Sequence, residues 1–251
     1  MNTKLPDEKK ERIAKVIAHS GLCSRRDAEK MILEGRVLVN GMINKNCATK
    51  TNNADEIIVD GEKIKKKDTI RLWKYYKPSG LITSHKDEQG RKTVFNALPL
   101  HLPRLISVGR LDLNSEGLLL LTNNGDLSRL LEHPSHGWVR RYKLRVHGRI
   151  NQTIINTLKK GLRIKGIRYA PVLIEEVKNN KEGANNWIIA KIKEGKNREL
   201  RVIMEHFGLK VNRLIRTSYG PFQLGSLKKT DISEVPYKVI KEQLGKELLK
   251  I

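Results

Sequence analysis

Val108-Gly109-Arg110-Leu111-Asp112-Leu113-Asn114-Ser115-Glu116-Gly117 leads directly into Leu118-Leu119-Leu120-Leu121-Thr122, and this stretch decides the fold. The leucine run is bounded by Gly117 and by Asn124-Gly125. It is far short of the ~20 apolar residues that a membrane span needs, and it is best read as a buried strand. A helix follows, with Leu127, Leu130 and Leu131 on one face and Pro134 just beyond its end. Asp112 stands at the mouth of the strand, between Leu111 and Leu113. A carboxylate this close to a core is unfavourable unless it is paired or hydrogen-bonded. It is therefore either a loop-fixing residue, for instance one paired with Arg110, or a functional acid, and spacing alone leaves both open. Of the neighbouring acids, Asp126 reads as a helix cap and Glu116 has no evident role.

Working downstream, Val139 to His147 alternates with period two. Tyr142, Leu144 and Val146 fall on one face, and Arg141, Lys143, Arg145 and His147 on the other. This predicts a strand with one packed face and one basic stripe. A helix is expected from about Asn197, with Leu200, Ile203, Met204 and Phe207 on one stripe and Gly208 stopping it. Arg201 lies just off that stripe, and Arg198 would sit one turn earlier on a similar face. Val211 to Arg216 reads as a basic strand and the tail as a closing helix from Val235. Upstream, Leu81-Ile82-Thr83 reads as a short strand and Asp87 to Arg91 as a solvated turn.

The first part of the chain has a different pattern. Residues 1–10 are polar and read as a frayed arm. Ile13, Val16 and Ile17 mark a helix from Glu11 that Gly21 ends. Ser24 caps a second helix, with Asp27 at its third position, running through Ala28, Met31 and Ile32 to Gly35. Strands at Arg36–Val39 and Ile57–Val59 are followed by the turn dipeptides Asn40-Gly41 and Asp60-Gly61. Arg25 and Arg26 occupy a first helical turn, where the macrodipole disfavours cations unless an anion binds there. The lysine-rich stretch Lys63 to Lys67 precedes a boundary near residue 71. The expectation is an α+β chain with an arm at 1–10, a small helix-pair domain at 11–70 and a larger mixed- or antiparallel-sheet domain at 71–251.

Of 251 residues, 50 are Lys or Arg and 27 are Asp or Glu, a formal charge of +23, most of it beyond residue 70. Each cation that neutralises a phosphate releases counterions, so such an excess favours a polyanionic partner over a merely solvated basic surface. Cys23 and Cys47 form no C-x-x-C pair or disulfide framework, and the histidines lack zinc-like spacing, so no metal site is expected. There is no GxxxxGK[ST] and no GxGxxG after a strand, which leaves nucleotide-dependent chemistry without support. The first residues lack the apolar core of a signal peptide, and a cytoplasmic location is expected.

RIAKVIAHSGLCSRRDAEKMILEGRVLVNG, residues 12–41, resembles the S4 domain, the small RNA-binding module of ribosomal protein S4 and several RNA-modifying enzymes. GRLDLNSEGLLLLTNNGDL, residues 109–127, resembles the central motif of the RsuA/RluB-type pseudouridine synthases, GRLDxxTxGLLLLTNDG. KPSGLITSHKDEQGRKTVFNALP upstream agrees in order, as do RRYKLRVHG, EGKNRELRVIMEHFG and VNRLIRTSYGPF downstream. Ser115 stands where the family often has Thr, and the hydroxyl is retained. The DEQGRKTVF stretch is most similar to the RluB-like branch, which modifies large-subunit ribosomal RNA.

The resemblance implies an enzyme that isomerises uridine to pseudouridine within RNA, breaking the C1′–N1 bond and rejoining the base through C5, with no cofactor. Such chemistry asks for a nucleophilic carboxylate, an apolar slot for a base taken out of the stack, and cations for the backbone. By motif match Asp112 is the nucleophile. Attack on the ribose C1′, attack on the base and abstraction of the 2′ proton all stay open. Tyr142 corresponds to the tyrosine that stacks on the target base, a contact worth roughly 1–3 kcal/mol, and is a candidate for proton transfer. Arg201 corresponds to the basic residue that pairs with the nucleophile and keeps it ionised. Leu200 is expected in the apolar wall. Arg110, Arg198, Arg141 and Lys143 are expected RNA contacts flanking the slot, and Arg25, Arg26 and Lys30 are expected S4-type contacts with structured RNA. The implied partner is ribosomal RNA or an immature ribosomal particle, most simply large-subunit RNA, bound by a monomer. Two rival readings are a small-subunit synthase and a non-catalytic ribosome-assembly factor on the same scaffold. The retained Asp112, Tyr142 and Arg201 set the second of these apart.

Overall fold

The computed structural model describes residues 10–65, 69–176 and 185–250. The expected arm, apart from Lys10, and the end of the Lys63–Lys67 stretch lie outside the described residues. The chain divides into two units. One runs up to Ile70 and includes His101–Leu105 and Asn123–Gly125; the other holds Arg71–Leu100, Ile106–Thr122 and the chain from Asp126 onward.

The first unit is built on helices α1 (Ile13–His19) and α2 (Arg25–Leu33). Ile13, Ala14 and Ile17 from α1 and Ala28 and Ile32 from α2 share one apolar cluster with Val37, Ile57 and Val59, so the helical stripe packs as its spacing demands. Ser24 Oγ accepts the Asp27 backbone N–H at 3.1 Å, as a capping residue should, and donates to the Asp27 carboxylate at 2.6 Å. Glu11–Arg12, expected in the helix, instead forms a short strand with Lys50–Thr51; no side chain caps α1 at Arg12. Val37–Val39 pairs antiparallel with Ile57–Val59. Asn40-Gly41 and Asp60-Gly61 all have positive φ, the backbone that tight hairpins require.

The second unit carries a nine-stranded sheet. Its strands are β1 (Leu72–Lys77), β2 (Ile106–Val108), β3 (Glu116–Thr122), β4 (Arg140–His147), β5 (Leu173–Glu176), β6 (Asn185–Ile192), β7 (Lys210–Tyr219), β8 (Phe222–Gln223) and β9 (Ile232–Val235). The order is β5-β6-β4-β7-β3-β1-β9, with β8 on β7 and β2 on β3. All pairs are antiparallel except β3 with β7, so the sheet is mixed. Every residue of β3 is buried, and Leu118 to Leu121 are 0% exposed, the central strand that the leucine run predicts. Gly117 makes the parallel pairing with β7 possible. Its φ is +100°, and a Cβ there would stand 2.3 Å from the Arg216 carbonyl oxygen.

Helix α3 (Gly125–Glu132) buries Leu127, Leu130 and Leu131, and α4 (Gln152–Lys160) buries Leu158. Helix α5 (Glu199–His206) starts later than its periodicity suggests. Arg198 is held left-handed at φ 52°, so it precedes the helix and does not share a face with Arg201. Leu81–Thr83 gives only an isolated bridge, Ile82 to Thr93. Helix α6 (Tyr237–Leu244) starts after Pro236, with Val235 ending β9. Among the described residues no helix is long and apolar enough to cross a membrane.

Candidate active site

On one face of the sheet of the second unit lies a cleft of about 770 Å³. Asp112, Tyr142, Leu200, Arg110 and Arg198 all line it. Tyr142, Leu200, Leu111, Leu214 and Ile192 give it an apolar wall of mostly buried side chains. The inward parity of β4 delivers Tyr142, the first turn of α5 delivers Leu200, and the loop before β3 delivers Asp112.

That loop is tied down along its backbone. Thr83 Oγ1 donates to the Leu111 carbonyl at 2.9 Å and accepts the Leu111 N–H at 3.3 Å. Lys77 Nζ donates to the carbonyls of Asp112, Leu113 and Ser115 at 3.1, 3.3 and 3.0 Å, and to its neighbour Pro78 at 3.1 Å. Gly80 N–H donates to the Leu113 carbonyl at 2.8 Å. Arg201 Nη2 takes the Asn114 carbonyl at 2.9 Å, while its Nη1 takes Val211 on β7 at 2.9 Å. The loop is held through its carbonyls, and the Asp112 carboxylate itself has no hydrogen-bond or ion-pair partner among the described residues.

Two of the surrounding cations, Lys77 and Arg216, are buried. Lys77 is 0% exposed. Burial pushes its ammonium down to about 8, the Asp112 and Glu116 carboxylates hold it up, and Arg216 adds to the fall. Burial also lowers the Arg201 guanidinium, as does Arg198, while Asp112 acts in the opposite sense. Arg216 is buried, lines the cleft and donates from Nε to the Leu118 carbonyl at 2.7 Å. Glu199, 3% exposed at the cleft, accepts the Lys196 N–H at 3.1 Å. Burial drives its carboxyl up to about 7. Glu116 is held down by Arg213, at 2.8 Å, and by Lys229, at 3.1 Å, which gives it a role in joining β3 to β7.

Two expectations need revision at this level, the pairing of Asp112 with an arginine and the place of Arg141 and Lys143. Arg201 forms no ion pair with Asp112, and neither does Arg110; Arg201 reaches the loop through a carbonyl two residues further on. Arg141 and Lys143 do not line the cleft, because alternation along β4 turns them to the face opposite Tyr142. Arg25, Arg26 and Lys30 are exposed on α2 in the first unit, with Arg25 near Glu29 at 3.7 Å and Lys30 near Glu34 at 3.8 Å. Sequence reasoning passed over Lys77, Thr83, Glu199 and Arg216. For Lys77 one signal was present: it shares strand parity with Trp73 and Tyr75, which are buried.

Comparison with known proteins shows the family of the chain. Residues 71–206 match the RNA pseudouridylate synthase family, and residues 11–46 match the S4 domain. An uncharacterized RNA pseudouridine synthase of Rickettsia bellii is 52% identical, over 92% of this chain and 99% of the relative. Ribosomal large subunit pseudouridine synthase B of Pasteurella multocida is 38% identical, over 94% of this chain and 70% of the relative. A crystal structure of a pseudouridylate synthase superposes with a TM-score of 0.66 at 25% identity, covering 93% of this chain and 99% of that one.

Proposed function

The chain belongs to the RNA pseudouridylate synthase family and carries an S4 domain, and from this we propose that it isomerises a uridine of large-subunit ribosomal RNA with Asp112 as nucleophile. The large-subunit substrate is the one named for its relatives in Pasteurella multocida and Pseudomonas aeruginosa. The observation that carries the assignment of Asp112 is its carboxylate, unpartnered in the cleft while the carbonyls of the loop around it, Leu111 to Ser115, are hydrogen-bonded. A reacting group held this way needs little reorganisation before attack.

The reaction balances within the substrate. The C1′–N1 bond is replaced by C1′–C5, the C5 proton departs and N1 gains one. No oxidant, reductant or activated nucleotide enters, so the reading includes neither cofactor nor metal. The target atoms are hard to reach in a stacked pair, so the uridine is turned out into the cleft. There Tyr142 offers a π-face and Leu200 an apolar wall. Arg201 acts as a positioning cation that holds the Asp112 loop and favours its ionised form. Arg110 and Arg198, at the rim, take backbone phosphates, and Arg25, Arg26 and Lys30 hold structured RNA. The enzyme works as a cytoplasmic monomer on ribosomal RNA or an immature ribosomal particle.

The test is incubation with unmodified large-subunit ribosomal RNA, followed by carbodiimide labelling and mapping of reverse-transcription stops. One new stop is expected, absent with Asp112→Ala while RNA binding is kept. The absence of a stop on large-subunit RNA, small-subunit RNA and immature particles, with binding intact, would overturn the reading in favour of a non-catalytic assembly factor.

A further inference from the structure

The cleft occupies one face of the sheet, and the outward face of β4 carries a second set of cations that the isomerisation does not use. Arg141, Lys143, Arg145 and His147 follow one another at every second residue, about 6.8 Å apart along the strand. Register extends this row sideways. Arg145 lies between Trp187 on β6 and Arg213 on β7, and His147 lies beside Lys210. Two acids offset part of the charge: Glu175 takes Arg141 and Lys191, and Glu116 takes Arg213 and Lys229. Lys143, Arg145 and Lys210 have no ion-pair partner among the described residues, and Arg145 and Lys210 are exposed.

Lys143 is not a loosely solvated lysine. Its ammonium sits 4.8 Å from the centroid of the Trp187 ring, a cation–π contact that pins a long side chain against the sheet. A cation already held in place loses less conformational freedom when it meets a phosphate. A row of cations at every second residue, on a strand whose pairing with β7 shifts register at Arg141/Tyr142 and Arg145/Val146, complements a polynucleotide backbone on a chain of charge +23. We propose that this outer face is a second RNA-binding surface, holding the backbone of a neighbouring segment of the ribosomal RNA while the cleft holds the target uridine. The inference rests on the function proposed above. Side chains on the two faces point in opposite directions, so a short hairpin seated in the cleft does not reach this row.

The experiment compares full-length large-subunit RNA with a short hairpin around the mapped uridine, or one of arbitrary sequence if no uridine is modified. Binding of the full chain is measured over a range of salt for wild type, Lys143→Ala/Arg145→Ala and Lys143→Arg/Arg145→Lys, with melting curves as a fold check. The alanine pair should weaken binding of the long RNA about ten-fold and lower its salt slope by roughly 1.4–1.8, while the effect on the hairpin is at least about five-fold smaller. The charge-retaining pair should bind long RNA like wild type. Equal losses on both RNAs, or no loss on either, would overturn the outer-face assignment. Failure of the underlying function reads differently: wild type would then form no pseudouridine, whatever the two binding curves show.

Discussion

Lys77 spans the loop that carries the candidate nucleophile, donating to four carbonyls from a fully buried ammonium. Lys77→Met would remove one donor from each of the four carbonyls, of which Asp112 and Leu113 keep the N–H of Ser115 and of Gly80; a buried acceptor left without any donor costs about 1–3 kcal/mol. Melting should show a loss of several kcal/mol, and release of tritium from C5-labelled uridine RNA should fall at least about 100-fold. Glu199 gives a prediction with the opposite sign. Its carboxyl ionises near 4.5 when unfolded but stays protonated to about 7 in the fold. The folded state therefore holds an extra proton in that window, and the stability contributed by Glu199 is full below about 4.5 and lost as pH rises through about 7. Glu199→Gln should raise stability over wild type by about 1–3 kcal/mol at pH 8 and leave little difference at pH 4.5. Denaturant melts at the two pH values check it. Asp112, Tyr142 and Leu200 were legible from motif and alternation. Lys77 was legible only through its parity with Trp73 and Tyr75, which says little for a lysine before a proline until the strand is paired.

Among the elements, the approach of β3 to β7 depends on one residue. A methyl at Gly117 would collide with backbone at 2.3 Å, and the left-handed φ adds strain of its own. Gly117→Ala should destabilise by about 3 kcal/mol or more and displace Arg216 and the Asp112 loop, so that melting temperature and turnover fall together. Periodicity gave β3, β4, α3 and the α1–α2 pair because each buries one consistent face. It misplaced the start of α5, since the left-handed backbone of Arg198 keeps the helix from beginning before Glu199, two residues after the apolar spacing suggests. It also left open which face of β4 meets the slot. That depends on the pairing of β4 with β6 and β7, a long-range fact absent from local spacing.

At the scale of the whole molecule, cations lie on both units, and what they do to RNA binding is separable from the chemistry. Arg25, Arg26 and Lys30 stand exposed at and beyond the start of α2, where Ser24 and Asp27 already satisfy the cap. Arg25 and Arg26, in the first turn, oppose the macrodipole, and Lys30, in the last turn, favours it only weakly from an exposed position. On the function proposed above, they contact RNA phosphates. Replacing all three by alanine should therefore leave melting nearly unchanged, within about 0.5 kcal/mol. The slope of log binding constant against log salt should fall by roughly 2–3, because each lost phosphate contact removes about 0.7–0.9. If the S4 unit only docks the RNA, the loss of turnover falls on KM and vanishes at saturating RNA. A fall in kcat of the same size would mean instead that docking on α2 is coupled to the turning-out of the uridine.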